Sequence, residues 1–386
     1  MKQKIIVVGL YLPGIYPRGE DDVVADLLAP AYMKTVVDAD PDLQQRYDVE
    51  ILNLPTTIKD EDLIKEITKR DPYIAAFSVY IWNFELINSA TALLRDIQPD
   101  IKTVWGGPEV SYNAAEIMKI NPAIDVIVCG SGEQKLLRLL KTDFSPEEIS
   151  QIPSVAYRDQ SGEIKQVAGN IPDDLTKIPS PFQSGAINLQ DGRRHSVYIE
   201  TYRGCIFQCG YCMWMGDKKK GLVLFPIEQI LKDIDIIYSN PAVKHVVFTD
   251  ACIFYRRDRA KLICDKIAAA SQTIPTTLTL DIAFMDEEAL ESLQKIKVGS
   301  QGFLFGMQSV NDETLRLMNR KIGPEIISKR IKMIKELDPN VEISFDIIYG
   351  LPGDNHEAFR DTVNFALHLS PTKLKPLLKS EWVTIE

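Results

Sequence analysis

Residues 200–217 read ETYRGCIFQCGYCMWMGD, and three of the chain's six cysteines, Cys205, Cys209 and Cys212, fall within eight positions of it. Gly204 precedes the first cysteine and Gly210 follows the second, while Phe207, Tyr211 and Trp214 lie among or just beyond them. An apolar run over Val197–Thr201 comes immediately before, so the thiols are predicted to sit in a loop that leaves a strand.

The rest of the composition limits what such a loop can serve. A chain of 386 residues has room for two domains with separate cores. Its 45% hydrophobic and 25% charged residues are those of a soluble globular protein. No apolar run approaches the ~20 residues that span a bilayer. The beginning, MKQKIIVVGLYLPG, lacks a small-residue cleavage site and reads as a buried first strand. A net charge of −10, spread along the chain, argues against a basic surface for nucleic acid or membranes. Six cysteines in a chain this long do not form a disulfide framework, which points to a cytoplasmic protein with a local thiol cluster.

Two periodic regions flank a break. KIIVVGL, DVEILNLP, YIAAFSVY, KTVWGG and AIDVIVCGSGE are near-continuous apolar runs, and helical patterns fill 23–37, 60–69, 83–96 and 111–119 between them. That alternation predicts an α/β, doubly wound, Rossmann-like domain over 1–150, its sheet parallel and covered on both faces. A ligand crevice is expected beyond the carboxyl ends of the strands, near Gly9, Ser78, Gly106, Gly107 and Gly130 to Glu133. The proline-rich 151–190 reads as a linker carrying a small strand pair around SVAYRDQSGEIKQV. Over 191–386 the rhythm resumes. Strands are predicted at 197–201, 244–249, 276–281, 302–308, 342–348 and 372–378, with helices at 226–238, 257–270, 286–296, 324–337 and 356–369. This is enough for a partial (β/α)6 barrel.

Three chemistries suit the triplet. Buried structural thiols are the plainest, although such cysteines usually occur singly. A structural zinc site closes with four ligands, commonly in two pairs. No second C-x2-C exists here, and His195 would reach the triplet only if the loop folded back. An iron–sulfur cluster takes thiolates by preference, and a [4Fe–4S] cube normally takes four. Three local cysteines would leave one iron open, which suits chemistry better than electron storage. Cys129, Cys252 and Cys264 are isolated and read as buried thiols, with Cys252 nearest a predicted barrel mouth.

C-x3-C-x2-C after the first strand of a six-unit barrel resembles the radical S-adenosylmethionine (SAM) superfamily. FLFGMQSVNDETLRLMNR and ISFDIIYGLPGDNHEAFRDTVNFA are similar to the fourth- and fifth-strand regions of its Elp3/MiaB-like branch. The resemblance implies that Cys205, Cys209 and Cys212 hold the cluster, that SAM chelates the open iron, and that reductive cleavage yields a 5′-deoxyadenosyl radical. It also implies that the Tyr211 backbone lies near the adenine, and that Asp250, Asp281, Gln308, Ser309 and Asp346 line the cofactor and substrate pocket. For Gln308 and Ser309 the alternative is a polar turn that closes a strand; Glu200 and Arg203 orient the loop or form an ordinary ion pair.

A doubly wound domain ahead of such a barrel resembles the cobalamin-binding module of many of these enzymes, on VWGGPEVSYNAAEIMK and IDVIVCGSGEQKLLRLL. Cobalamin is therefore expected at the loops after Gly9, Ser78 and Gly106. The D-x-H-x-x-G motif is absent and no histidine precedes His195, so no histidine of the first domain is expected beneath the cobalt. Relatives usually continue beyond the FALHLSPTKLKPLLKSEWVTIE segment into a region that shapes the substrate site. The function implied is cobalamin-dependent methyl transfer to an unactivated carbon of a small molecule or peptide, fed by a low-potential electron donor such as a flavodoxin or ferredoxin. A radical rearrangement, cyclisation or sulfur insertion, or a catalytically silent protein acting through a partner, are the alternatives.

Overall fold

The computed structural model describes residues 2–15, 19–20, 22–212, 221–299 and 302–378, and the chain divides into two units, Met1–Val197 and Tyr198–Glu386. The strands of the first are β1 (Gln3–Tyr11), β2 (Val23–Asp26), β3 (Tyr47–Pro55), β4 (Ile74–Ser78), β5 (Lys102–Gly106), β6 (Val126–Val128), β7 (Val155–Arg158), β8 (Ile164–Gln166) and the start of β9 (Arg194–Ile199).

One sheet runs in the order β3-β1-β4-β5-β6-β7-β8, parallel as far as β6 and antiparallel beyond it. Ile5, Ile6, Val8 and Leu10 of β1 are all buried, so the strand has no solvent face and needs cover on both sides. The helices Asp60–Thr68 and Phe84–Ile97 help supply it, setting Leu63, Ile64, Ile67, Ile87, Ala90 and Leu94 in the core with Trp105. Each of the leucines and isoleucines contributes about 1.5–3 kcal/mol when fully buried. The Trp105 indole N–H is satisfied by Thr91 Oγ1 at 3.1 Å. The chain reverses its winding between β1 and β4, which is where doubly wound folds open their crevice.

The sequence patterns differ from the structure in several places. The strand pair of the connecting segment, β7 and β8, is not free-standing but extends the first sheet. The predicted helix over 23–37 begins as a strand: Val23–Asp26 pairs in parallel with Arg194–Val197, and the helix is Leu28–Ala39. Two adjacent β-branched valines favour the strand, and Pro30 is tolerated because it lies in the first turn of the helix. The helix predicted over 111–119 is two pieces, Pro108–Ser111 and Ala114–Ile120.

β2 is fastened by charge. His195 is fully buried, with Nδ1 2.8 Å from Asp26 Oδ2 and Nε2 3.0 Å from Asp191 Oδ1. Burial alone would lower the imidazole pKa, but the two carboxylates outweigh it and raise the pKa above 6.5. Burial also pushes the Asp26 carboxyl up.

In the second unit β9 ends beside β12 (Val243–Phe248), reached through β10 (Tyr202–Arg203) and β11 (Val223–Leu224). β12 pairs in parallel with β13 (Thr276–Thr277). A second parallel group follows: β14 (Phe303–Gln308), β15 (Ile343–Tyr349) and β16 (Lys373–Leu378). Val298 bridges to Thr276 at the margin of β13. The helices Ile227–Tyr238, Arg257–Ala268, Glu287–Gln294, Pro324–Leu337 and His356–His368 alternate with these strands. Their starts are signalled locally, as where Asn355 accepts from Ala358 N at 2.9 Å. β13 is shorter than the predicted 276–281. Asp281 is not at a strand end but caps a short 3₁₀ turn, Ile282–Phe284, accepting from Ala283 N at 3.0 Å.

His195→Ala strands a buried Asp26 and is expected to cost the first unit about 3 kcal/mol, the order for breaking a buried ion pair. Urea unfolding should show a lower midpoint at unchanged slope. Because the folded pKa of His195 is raised, the pair's contribution is complete below pH 6.5 and fades as the pH rises through the folded value. The raised carboxyl of Asp26 adds a dependence of the same sign. In the variant the His195 part is lost, whereas the Asp26 part, set by burial and no longer opposed by the imidazole, persists.

Candidate functional site

The cysteine loop leaves β9 through a short antiparallel brace in which Tyr202 and Arg203 pair with Leu224 and Val223. Gly204, at φ +105°, makes the exit; a Cβ there would run into the carbonyl oxygen of Gly221. Only glycine fits both constraints. The Arg203 Nε donates to both carboxylate oxygens of Glu200 at 3.1 Å. The guanidinium also lies 5.9 Å from the Phe225 ring centroid, so the pair orients the brace.

All six cysteines are reduced, and Cys209 is the most deeply placed of the triplet. Cys205 Sγ accepts a hydrogen bond from Phe207 N at 3.4 Å and Cys209 Sγ from Arg320 Nη1 at 3.7 Å. Tyr255 Oη lies 3.7 Å from Cys205 Sγ. The rings of Phe207, Tyr255 and Phe284 pack edge-to-face or tilted, with centroids 5.1–6.2 Å apart, and wall that side of the loop. Tyr211 packs on Met318, Ile348 and Leu351, and burial drives its phenol pKa upward. Trp214 lies outside the described residues. Among the described residues no three His, Cys, Asp or Glu side chains converge as a metal-binding group. Ligand sets of this kind usually close on the metal itself.

The expected pocket residues separate into different kinds. Asp250 is 2% exposed and accepts on Oδ1 from Thr201 N, Tyr202 N and Thr201 Oγ1, while Oδ2 has no partner. Burial pushes its pKa up to about 7 despite those bonds. Asp281 lies 3.8 Å from the Arg320 guanidinium. Asp346 is half-buried in mid-strand, in register with Gly306 and Lys375, and burial raises its pKa. Ser309 is an internal fastener, accepting from Asn311 N at 3.1 Å. Gln308 is different: it holds φ +69° at a register shift, with a buried, unpartnered Oε1.

In the first unit Ser78, Gly106, Gly107 and Gly130 do gather at the carboxyl ends of β4, β5 and β6. Val79 N donates to Gly106 O at 2.7 Å, and Gly130 N donates to Ser111 Oγ at 3.0 Å. Gly107 adopts φ +118° where a Cβ would strike the Val79 backbone. Glu133 is buried in the first turn of Glu133–Leu140. Gly9 does not belong with them. It is inside β1, and Pro30 and Leu27 come to 2.8 and 2.9 Å of where its Cβ would be, so its smallness serves packing.

A model of the radical SAM superfamily matches residues 199–366, and one of the B12 binding domain matches residues 40–140. The chain carries a radical SAM domain. It joins that domain to a B12-binding domain. It is 25% identical over 357 residues to the 2-(S-pantetheinyl)-carbapenam-3-carboxylate methyltransferase of Streptantibioticus cattleyicolor, covering 88% of this chain and 51% of that protein. The cobalamin-dependent SAM radical enzyme OxsB, solved with aqua-cobalamin and SAM bound, superposes with a TM-score of 0.73 at 18% identity, over 94% of this chain and 52% of OxsB. The radical SAM methyltransferase TsrM of Kitasatospora setae, with cobalamin and a [4Fe–4S] cluster, gives 0.73 at 16%, over 98% and 72%. These likenesses show the fold. The chain spans about half the length of the first of these relatives and of OxsB.

Several residues of the radical SAM and B12-binding domains escaped the sequence reading. Arg320 and Tyr255 touch the cysteines from 111 and 50 positions away, a separation at which nothing local marks them. In the B12-binding domain Lys135 is buried and donates to Cys129 O at 2.6 Å and Ser131 O at 3.0 Å, shaping the loop before Glu133. Tyr80 and Trp82 stack at 4.5 Å after β4, beside an exposed Ile81. An apolar stretch in a loop at the crevice was the available signal, but YIAAFSVYIW reads as one long strand.

Of the remaining cysteines, Cys252 is wholly buried. Its thiol is pushed up to about 12 by burial, and its backbone is gripped by the Tyr202 hydroxyl, which accepts from Cys252 N at 2.8 Å and donates to Cys252 O at 2.6 Å. Burial raises the Cys129 and Cys264 thiols as well. Cys252→Ala is expected to leave iron and sulfide content after anaerobic reconstitution unchanged. Loss of iron from a folded variant would make Cys252 a ligand.

Proposed function

We propose that this chain is a cobalamin-dependent radical SAM methyltransferase acting on an unactivated carbon. The observation that carries the proposal is the loop of Cys205, Cys209 and Cys212, with the Cys205 and Cys209 sulfurs hydrogen-bonded, in a chain that also has a B12-binding domain. The donor set suits an iron–sulfur cluster: three thiols, polar hydrogens on the sulfurs and an aromatic wall. Bound together, cluster, SAM and cobalamin would supply a carbon-centred radical and a transferable methyl group.

The residues of the chain have narrower tasks. The three cysteines would hold the cluster, and Gly204 with the Glu200–Arg203 pair sets the direction in which the loop leaves β9. Phe207, Tyr255 and Phe284 would shield the Cys205 side of the cluster. Gln308, Asp281 and Asp346 are offered as polar lining of the SAM and substrate pocket, and the Tyr211 backbone as the adenine contact. In the B12-binding domain Ser78, Gly106, Gly107 and Gly130 present backbone at the crevice, and the exposed Ile81 and Trp82 offer the apolar surface that a large ring system needs. A low-potential donor of the flavodoxin or ferredoxin class would supply electrons. The reducing cytoplasm suits so oxygen-sensitive a centre.

Anaerobically reconstituted protein is expected to contain about four iron and four sulfide per chain, and to lose both when Cys205, Cys209 and Cys212 are replaced by alanine. With dithionite and SAM it should release 5′-deoxyadenosine. Zinc in place of iron, or a cluster that survives the triple replacement, defeats the assignment.

The single histidine of the first unit, His195, has both ring nitrogens engaged by Asp26 and Asp191. Electron paramagnetic resonance of the cob(II)alamin-loaded protein is therefore expected to lack nitrogen splitting from a histidine of that unit. Failure to retain any cobalamin would remove methyl transfer and leave a radical enzyme of another kind.

A further inference from the structure

Residues Met318, Asn319 and Arg320 grip three consecutive residues of the cysteine loop. Gly210 N donates to Met318 O at 2.8 Å, and Asn319 Nδ2 donates to Gln208 O at 3.1 Å. Arg320 Nη1 reaches Cys209 Sγ at 3.7 Å. The Arg320 side chain is only 10% exposed. Its other terminal nitrogen, Nη2, donates to Gly306 O at 2.7 Å and lies 3.8 Å from Asp281 Oδ2. The guanidinium is thus fixed at both ends, with one N–H on a sulfur, and Asn319 adopts a left-handed backbone (φ +51°) in the turn that delivers it.

We propose that Arg320 holds up the reduction potential of the cluster by donating a charged hydrogen bond to the sulfur of Cys209. The proposal rests on the reading of Cys205, Cys209 and Cys212 as cluster ligands. Reduction adds one electron, taken from a low-potential donor of the ferredoxin or flavodoxin class (dithionite in the test). No bond breaks and no proton moves. The reduced centre is more negative by one charge, so a cation on a ligand sulfur stabilises it more than the oxidised centre. Burial keeps water and salt from screening the interaction. Asp281 offsets part of the effect while it is paired with Arg320, and would act alone against reduction once the arginine is gone. Removing the cation therefore shifts the potential in one direction, with the Asp281 charge left uncompensated.

The test is a redox titration of the anaerobically reconstituted full chain without SAM, followed by the paramagnetic signal of the reduced cluster. Arg320→Gln is expected to bind iron and sulfide as the parent does and to titrate at a more negative potential. The expected displacement of the oxidised–reduced equilibrium is about tenfold, about 59 mV for one electron. Arg320→Lys keeps the charge but not the planar fork, and should shift less in the same direction. An unchanged midpoint in a normally loaded Arg320→Gln overturns the proposal. So does a shift that appears only with SAM present, which would assign the arginine to that ligand. If neither variant loads iron, Arg320 serves assembly and the proposal is again overturned. A parent chain that binds no iron or sulfide would instead sink the cluster reading on which it rests.

Discussion

At the end of β12 the carboxylate of Asp250 accepts from Thr201 N and Tyr202 N at 2.9 Å each, and from Thr201 Oγ1 at 3.1 Å. Arg259, on the helix Arg257–Ala268, takes the carbonyl side of the same segment, donating to Thr201 O at 3.2 Å and Phe225 O at 2.9 Å. A stretch of backbone at the exit of β9 is therefore held by an anion on its donors and a cation on an acceptor. Burial dominates both groups, raising the Asp250 pKa and lowering that of Arg259, so their desolvation is not fully compensated. Burying charge in this way costs stability. What the two groups supply is orientation of the backbone at Thr201 and Tyr202, just before Gly204.

The hold is reciprocal. While Asp250 fixes the Tyr202 backbone, the Tyr202 hydroxyl fixes the backbone of Cys252 on the strand-end segment that carries Asp250. Farther along, residues 318–320 grip 208–210, and Tyr255 approaches Cys205 from the segment that follows β12. The loop is thus held from two parts of the barrel, the segment after β12 and residues 318–320, while among the described residues no three metal-ligating side chains form a group. The chain arranges the peptide, and closure of the ligand set falls to whatever the thiols bind. That division is expected where metal affinity and local folding are coupled.

Features with short-range causes were legible in the sequence. The thiol triplet, the alternation of apolar runs with amphipathic helices, and the helix limits near Tyr238, Ala268 and Leu337 each arise from neighbours within a few turns. Features with remote causes were not. Val23–Asp26 is a strand because Arg194–Val197 lies beside it, some 170 positions on, where His195 meets Asp26 across 169. From its sequence Gly9 is expected at the ligand crevice, yet the space of its missing side chain is filled by Leu27 and Pro30. Asp281 ends the predicted strand 276–281, but the ladder stops at Thr277 and its carboxylate caps the next turn. Arg320 carried no local mark at all.

Gln308 and Ser309 show how structure separates adjacent residues that sequence leaves equivalent. Ser309 is buried and satisfied: its hydroxyl accepts from Asn311 N, and Val310 N next to it is held by Thr362. Gln308 sits in the left-handed region at φ +69°, which costs a residue with a Cβ about 1 kcal/mol or more. Its buried Oε1 has no partner, which costs about 1–3 kcal/mol again. Both penalties fall where the β14–β15 register shifts between Gly306 and Gln308, and the Gly306 carbonyl takes the Arg320 guanidinium. A fold held together only by packing would have no use for an irregular, polar and under-bonded strand end at this position. Gln308 thus carries the irregularity of this strand end, while Ser309 belongs to the scaffold.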